Sequence, residues 1–279
     1  MKKIVLLMLI FLVGCTKTGG TKETESPCKD NPLSADCFIP SKNLDHISPT
    51  PDEYLVDDNF EAERPGQMPR NFLLYENSEY RPGMVHAKVI KAEDNQYVEL
   101  YSNGKGRPPY PQNAPTSTLI FTTKFNLDKT GKGALKIDMM VPSENNNEVH
   151  FGLSAGAVNV MNFIIKKDYS LHLKKGGPFF YYSGNNDGGE VVDLNKTITP
   201  DTWITFEIHF DVHENNLKAF IHADTVTLLH ESTFHRSNRF NAKEDGEIFA
   251  PNNVKITMPA GIFEGFAYVD NVIVKRLED

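Results

Sequence analysis

The side chains best equipped for chemistry lie in the middle of the chain: Lys136 and Asp138, Glu148 and His150, Lys166, and the pair Tyr181 and Tyr182. Glu148 and His150 are two residues apart, so on an extended strand they share a face, where a carboxylate beside an imidazole can order a polar ligand or pass a proton. The run Phe179-Phe180-Tyr181-Tyr182 offers either an aromatic platform or, by alternation, rings divided between core and edge. Arg107-Pro108-Pro109-Tyr110-Pro111 predicts an extended loop that carries Arg107 to a rim. Asp58, Glu61 and Asp270 stand near the two ends of the chain. Together they would supply the hard oxygen ligands that suit calcium, and apart they are solvated edge residues. Spacing also excludes chemistries. No Glu-x-Asp-x-x-Glu strand sets two carboxylates on one face for retaining glycoside hydrolysis. The Gly-rich turns at 129–133 and 185–189 lack the Lys-Ser or Lys-Thr ending of a phosphate loop, and no Cys-x-x-Cys pair supports zinc.

The element best able to position such groups is the stretch from Thr202 to Ile221. Ile204, Phe206, Ile208, Phe210 and Val212 alternate with Thr205, Glu207, His209 and Asp211, the period of two of a half-buried strand. His213-Glu214-Asn215-Asn216 supplies a turn, after which Leu217, Ala219 and Ile221 resume the alternation, so an antiparallel hairpin is predicted with its even-numbered first-strand residues inward. Such a hairpin needs a second sheet over its apolar face. Strand-like runs at 85–90, 97–101, 118–125, 134–141, 149–154, 163–166, 171–174, 179–182 and 254–258 are separated by Gly, Asn, Pro and Asp clusters, the pattern of a sandwich. No stretch carries a helical period, and 235–248 reads as a long surface loop.

The first residues read as an address. Lys2 and Lys3 precede an apolar run from Ile4 to Val13, shorter than the roughly 20 residues of a membrane-spanning helix. Leu12-Val13-Gly14-Cys15 resembles the lipobox of bacterial lipoproteins. That resemblance implies a signal peptide over 1–14, acylation of Cys15 with membrane attachment through the lipid, and, because Thr16 follows the Cys, the outer membrane of the cell envelope. From 15 to 52 the composition is polar and rich in Thr, Ser, Pro and Gly, a flexible tether. Cys28 and Cys37 within it predict a small disulfide loop in an exported chain. The net charge of −8 opposes non-specific binding of nucleic acid or other polyanions, while leaving room for a local basic groove.

A family resemblance covers the region from Tyr54 to Leu277. Asp57-Asp58-Asn59-Phe60-Glu61, read as a short first strand, a Gly-x-x-Pro turn, and Ala267-Tyr-Val-Asp-Asn-Val-Ile-Val274 near the far end resemble the two termini of concanavalin A-like, laminin G-like jelly rolls. The resemblance implies an all-β fold, a jelly-roll sandwich of two antiparallel sheets over 53–279. It implies that first and last strands pair, bringing Asp58, Glu61 and Asp270 together for calcium. It further implies a carbohydrate partner held on one sheet, with Lys136, His150, Lys166, Tyr181, Tyr182 and Arg107 as the contacting residues. Polysaccharide lyases of the alginate lyase type share this fold. Glu148-Val149-His150 is similar to their Gln-[Ile/Val]-His strand, which would make His150 a base and Tyr181 or Tyr182 an acid in β-elimination from a uronate glycan. The Arg-[Ser/Thr]-Glu-[Leu/Val]-Arg and Tyr-Phe-Lys-Ala-Gly segments of those enzymes are absent. A third expectation is an envelope protein whose sheet face binds another protein.

Overall fold

The computed structural model describes residues 54–76, 85–93, 95–102, 119–127, 131–156, 158–177, 189–222, 225–234, 248, 250–259 and 264–277. Cys15, Cys28, Cys37, Arg107, Tyr181 and Tyr182, and the strand expected at 179–182, lie outside these residues.

The predicted hairpin forms as β11 (Ile204–Asp211) and β12 (Asn216–His222). Ile204, Phe206, Ile208 and Phe210 are buried while Thr205, Glu207, His209 and Asp211 are only partly covered, because a strand turns successive side chains to opposite faces. Trp203 stands just before the strand and is 38% exposed, so it belongs to the outer surface. On one side β11 pairs with β6 (Lys132–Met140), and β12 pairs with β13 (Val226–Ser232). Beyond β6 lies β15 (Gly265–Arg276), followed by β4 (Asn95–Ser102) and β3 (Val85–Ala92). The first half of β15 pairs with β4, and its second half with β1 (Tyr54–Asp58). The first and last strands thus pair as expected, with Asp58 opposite Val272. The first strand ends earlier than the sequence suggested. Asp58 Oδ1 accepts a 2.9 Å hydrogen bond from the Phe60 amide, an Asx turn that holds Phe60 at φ 59 and drops its ring into the core.

The second sheet runs β10 (Glu190–Thr197), β9 (Ser170–Lys175), β8 (Val158–Ile165), β7 (Val149–Ala155), β14 (Asn253–Met258), β5 (Leu119–Lys124) and β2 (Leu73–Glu76). All pairings in both sheets are antiparallel. Between the sheets, Phe206 of β11 meets Phe151 of β7 and Phe163 of β8, each at 4.9 Å between ring centroids. These edge and tilted contacts stitch one sheet to the other. The described residues form an all-β sandwich of two antiparallel sheets with no helix.

Three strands were not anticipated: β2, β10 and β13. All end a sheet, and an edge strand that packs only part of its length loses the alternation by which strands are recognised. β8 begins at Val158, earlier than the expected 163. Every residue in it is buried, and in Val-Asn-Val-Met-Asn-Phe-Ile-Ile the two asparagines stand three apart, so no alternation of polar and apolar residues marks the strand.

Candidate functional site

The core-facing residues of the second sheet form a row: Leu74, Phe121, Ile256, Phe151, Phe163 and Leu173, register partners from strand to strand. Their strand neighbours must therefore face the other way. Two outer rows result. One runs Tyr75, Ile120, Thr257, His150, Ile164, His172 and Asp193, and the other runs Leu73, Thr122, Lys255, Gly152, Asn162, Lys174 and Val191. Ser154, opposite Asn253, extends the surface past Gly152.

This outer face is polar and enclosed. His150, Asn162, Lys174, Thr122, Thr257 and Ser154 are all buried, although they point away from the core. Glu148 lies at one end of the face. Its Oε1 accepts from Lys166 Nζ at 2.9 Å, and its Oε2 is 3.1 Å from His150 Nε2. Partial burial would raise the Glu148 carboxyl, but the hydrogen bonds from His150 and Lys166 outweigh it and bring the pKa down to about 2. Burial lowers the His150 pKa, a tendency that Glu148 opposes and that the charges of Lys166 and Lys174 reinforce. The imidazole is therefore neutral at pH 7, able to donate from one nitrogen and accept at the other.

At the centre of the face Gly152 lets the neighbouring strand approach closely. A Cβ there would sit 2.3 Å from Met161 O and 2.9 Å from Asn162 Oδ1, and its φ of 151 suits glycine alone. Two buried atoms on this face lack any hydrogen-bond partner: Ser154 Oγ and Asn162 Oδ1. The amide nitrogen of Asn162 is committed to Asn159 Oδ1 at 2.7 Å, so its oxygen stays available as an acceptor. Buried polar atoms are almost always paired, because leaving one bare costs about 1–3 kcal/mol.

The sequence-predicted residues divide. His150 and Lys166 share this face through Glu148. Lys136 does not: it lies on β6 opposite Glu207, on the outer face of the other sheet and so across the sandwich from His150. That β6 and β7 would be strands was legible, but not which sheet each would join. For β-elimination, Tyr75 is the described tyrosine in the same row as His150. Three strand spacings, about 14 Å, separate the two, too far to serve one sugar residue as acid and base.

At the first and last strands, the carboxylates expected to hold calcium have other partners. Asp58 is spent on the Phe60 amide and on Asn71 Nδ2 at 3.4 Å, and the charges that reach it are those of Glu63 and Arg70. Glu61 Oε1 accepts from the Gln96 amide at 2.7 Å. Asp270 is held by Asn95 Nδ2 at 3.0 Å and the Asn271 amide at 2.7 Å, facing Asp138 and Glu61. The carboxylates thus turn to amide donors rather than to a common centre, and the described residues contain no group of three or more His, Cys, Asp or Glu able to hold a metal ion.

Sequence reasoning did not single out Gly152, Ser154, Asn162, Lys174 or Lys255. A strand from 158 rather than 163 would have placed Asn162 opposite Gly152, but the spacing of Asn159 and Asn162 breaks the period of two and masked that start.

No protein-family model matches the chain, and no curated protein matches its sequence. Solved structures share its fold. A sialidase superposes with a TM-score of 0.51 over 81% of this chain at 9% identity, and the chain spans 19% of the sialidase's length. A Bacteroides ovatus mixed linkage glucan PUL GH16 protein, solved in complex with a G4G4G3G product, superposes with a TM-score of 0.50 at 13% identity, over 80% of this chain and 100% of that one. The two antiparallel sheets form a concanavalin A-like jelly-roll sandwich.

Proposed function

We propose that this chain binds a carbohydrate on the outer face of its second sheet, near Ser154 and Asn162. The observation that carries the reading is the pair of unpartnered buried atoms, Ser154 Oγ and Asn162 Oδ1. A sugar ring presents closely spaced hydroxyls, each both donor and acceptor, and two such groups would satisfy both atoms at once. His150, Thr257 and Thr122 on the same rows add further hydrogen-bonding positions. Fold neighbours support the reading at the level of the superfold, since the B. ovatus protein holds an oligosaccharide product.

Ser154→Ala separates a binding role from a structural one. Because Ser154 Oγ has no protein partner, its removal is expected to leave the melting temperature unchanged or raised. Affinity for a glycan identified on an array should fall by about tenfold, the worth of roughly one good hydrogen bond. An array silent across neutral and acidic glycans, with a protein recovered in pull-downs, would replace carbohydrate by a protein partner. If the bound glycan contains uronate and an unsaturated product accumulates at its ultraviolet absorbance, β-elimination rather than binding is the activity.

The same proposal places the domain outside the cytoplasm, tethered by acyl chains on Cys15 to the bacterial envelope. Cys15→Ala is expected to yield an uncleaved or soluble species that incorporates no labelled fatty acid; a variant still labelled and membrane-bound sinks the anchor.

A further inference from the structure

The outer face of the first sheet gathers aromatic rings and acids at one end. On β4, the partly exposed Tyr97, Glu99 and Tyr101 alternate with the buried Val98 and Leu100, and on β15 the partly exposed Phe266 and Tyr268 flank the buried Ala267, so all five point outward. Register sets Tyr101 opposite Phe266 and Glu99 opposite Tyr268. Trp203, the chain's single tryptophan, reaches across from the start of β11. Its ring lies 5.5 Å from that of Tyr97 at 66°, and the Tyr97 ring lies 5.4 Å from that of Tyr268 at 83°. Rings set so steeply to one another form the walls of a corner, whereas a platform for sugar rings would need them coplanar. Aromatic faces that meet in a corner attract an organic cation.

The charges agree with the rings. Glu99, Glu144 and Asp201 are the charged groups that bear most on the Tyr268 phenol, and Glu264 Oε1 accepts from the Tyr101 hydroxyl at 2.7 Å. The loop after β6 ties these acids together: the Ser143 amide donates to Asp201 Oδ1 at 3.0 Å, and the Asn146 amide donates to Glu264 O at 3.1 Å. Lys88 and His86 reach the same face, but both end on one oxygen, Glu99 Oε1, at 2.8 and 2.9 Å. Glu144, Asp201 and Glu264 are exposed, and among the described residues no ammonium or guanidinium pairs with them. Three carboxylates thus rim an aromatic surface without a counter-ion, and a ligand carrying several positive charges would relieve their repulsion.

We infer that this end of the first sheet binds a basic segment of a partner protein, one lysine seated in the corner of Trp203, Tyr97 and Tyr268 and its neighbours against Asp201, Glu144 and Glu264. A lysine fits because its apolar stem packs on rings while its charge stays at the tip. The strip from Tyr97 to Tyr101 is about 14 Å long, the reach of roughly four extended residues. A single small ammonium ion would leave most of the rim unmatched. The site lies across the sandwich from Ser154 and Asn162, so it goes beyond the carbohydrate reading, and either can fail without the other.

Because Trp203 is the only tryptophan, the fluorescence of the full chain reports this face and not the other. Titration with tetralysine is expected to change the emission saturably, with an affinity that falls as salt is raised. Asp201→Asn, which keeps an oxygen for the Ser143 amide, should weaken tetralysine by about threefold. Tyr97→Leu, which keeps every charge, should weaken it by about tenfold. Both variants should retain a cooperative melt, and the Asp201 variant carries the test if Tyr97→Leu unfolds. Undiminished binding by a folded Tyr97→Leu would reduce the attraction to the net charge of the chain and overturn the site. Emission indifferent to about millimolar tetralysine, or tetraglutamate bound as tightly, overturns it as well. A glucosamine tetramer bound as tightly as tetralysine would assign the surface to an amino sugar and overturn the protein partner.

Discussion

At the scale of single residues, two carboxylates with opposite environments make opposite contributions to stability. Glu148 titrates at about 2 when folded, below its ordinary 4.5. Its ionised form is favoured by the fold, so its contribution is present above pH 4.5 and is lost as pH falls toward 2. Glu148→Gln is expected to flatten the acid limb of a stability-versus-pH curve across that window; an unchanged limb would mean that the contacts to His150 and Lys166 do not hold in solution. Asp58 is the reverse case. Burial raises its carboxyl to about 6, despite the hydrogen bonds from Phe60 and Asn71. It therefore favours the fold when protonated, and that contribution disappears as pH climbs from 3.8 through about 6. Asp58→Asn, which keeps an oxygen for the Phe60 amide, should melt higher than the parent above pH 6 and show no such gain below pH 4. Gly152 admits no substitute: Gly152→Ala would drive a methyl into Met161 O and Asn162. A loss of about 2 kcal/mol or more in chemical denaturation is expected.

At the scale of elements, the hairpin of β11 and β12 shows how one period sets two fates. Phe206 is fully buried against Phe151 and Phe163, so Phe206→Ala is expected to cost about 3–5 kcal/mol. Glu207, next in the chain, faces outward to His209 and His222 at 2.5 and 2.6 Å. Its replacement by Ala should cost about 1 kcal/mol or less, as for other partly exposed ion pairs. Equal losses at the two positions in urea melts would contradict the register. The sheet edges behave differently from the centre. β10 leaves Val191 52% exposed, and β13 leaves Val226 63% and Leu228 49% exposed. Amide hydrogens of these strands should exchange orders of magnitude faster than those of β7 and β11, which are flanked by strands on both sides.

At the scale of the whole molecule, the rings of Phe206, Phe151 and Phe163 join the two sheets through one core, and that continuity has a thermodynamic consequence. The sheets are expected to unfold together, with coincident transitions by far-ultraviolet and near-ultraviolet circular dichroism. Separate midpoints would show that the sheets are independently stable and that the aromatic contacts between them contribute little. The same architecture gives each sheet an outer face of different chemistry. The first sheet presents two ring pairs, Tyr97 with Tyr268 and Tyr101 with Phe266, with Trp203 edge-on to Tyr97. The second presents the enclosed polar rows around Gly152.

The sequence by itself determined the all-β class, the antiparallel hairpin at 204–222 and the inward face of β11, because alternation and turn chemistry are local properties written into consecutive residues; the pairing of first and last strands was expected from the family resemblance alone. It also made the relation of Glu148 to His150 legible, since both lie at one end of β7 and two positions apart. Only the tertiary structure decided which strands share a sheet, and with that which polar residues meet. Lys136 and His150 looked like members of one set, yet β6 and β7 enter different sheets; Lys255 and Lys174, distant in sequence, come to flank the same glycine through β14 and β9. Of the carboxylates at the chain ends, Glu61 comes within electrostatic reach of Asp270 while Asp58 faces Glu63 and Arg70, and all three turn to the amides of Phe60, Gln96, Asn71, Asn95 and Asn271. Strand order and side-chain partners of this kind depend on contacts far apart in the chain. No period of two can encode them, because a strand's alternation states which residues face outward and leaves open what they will face.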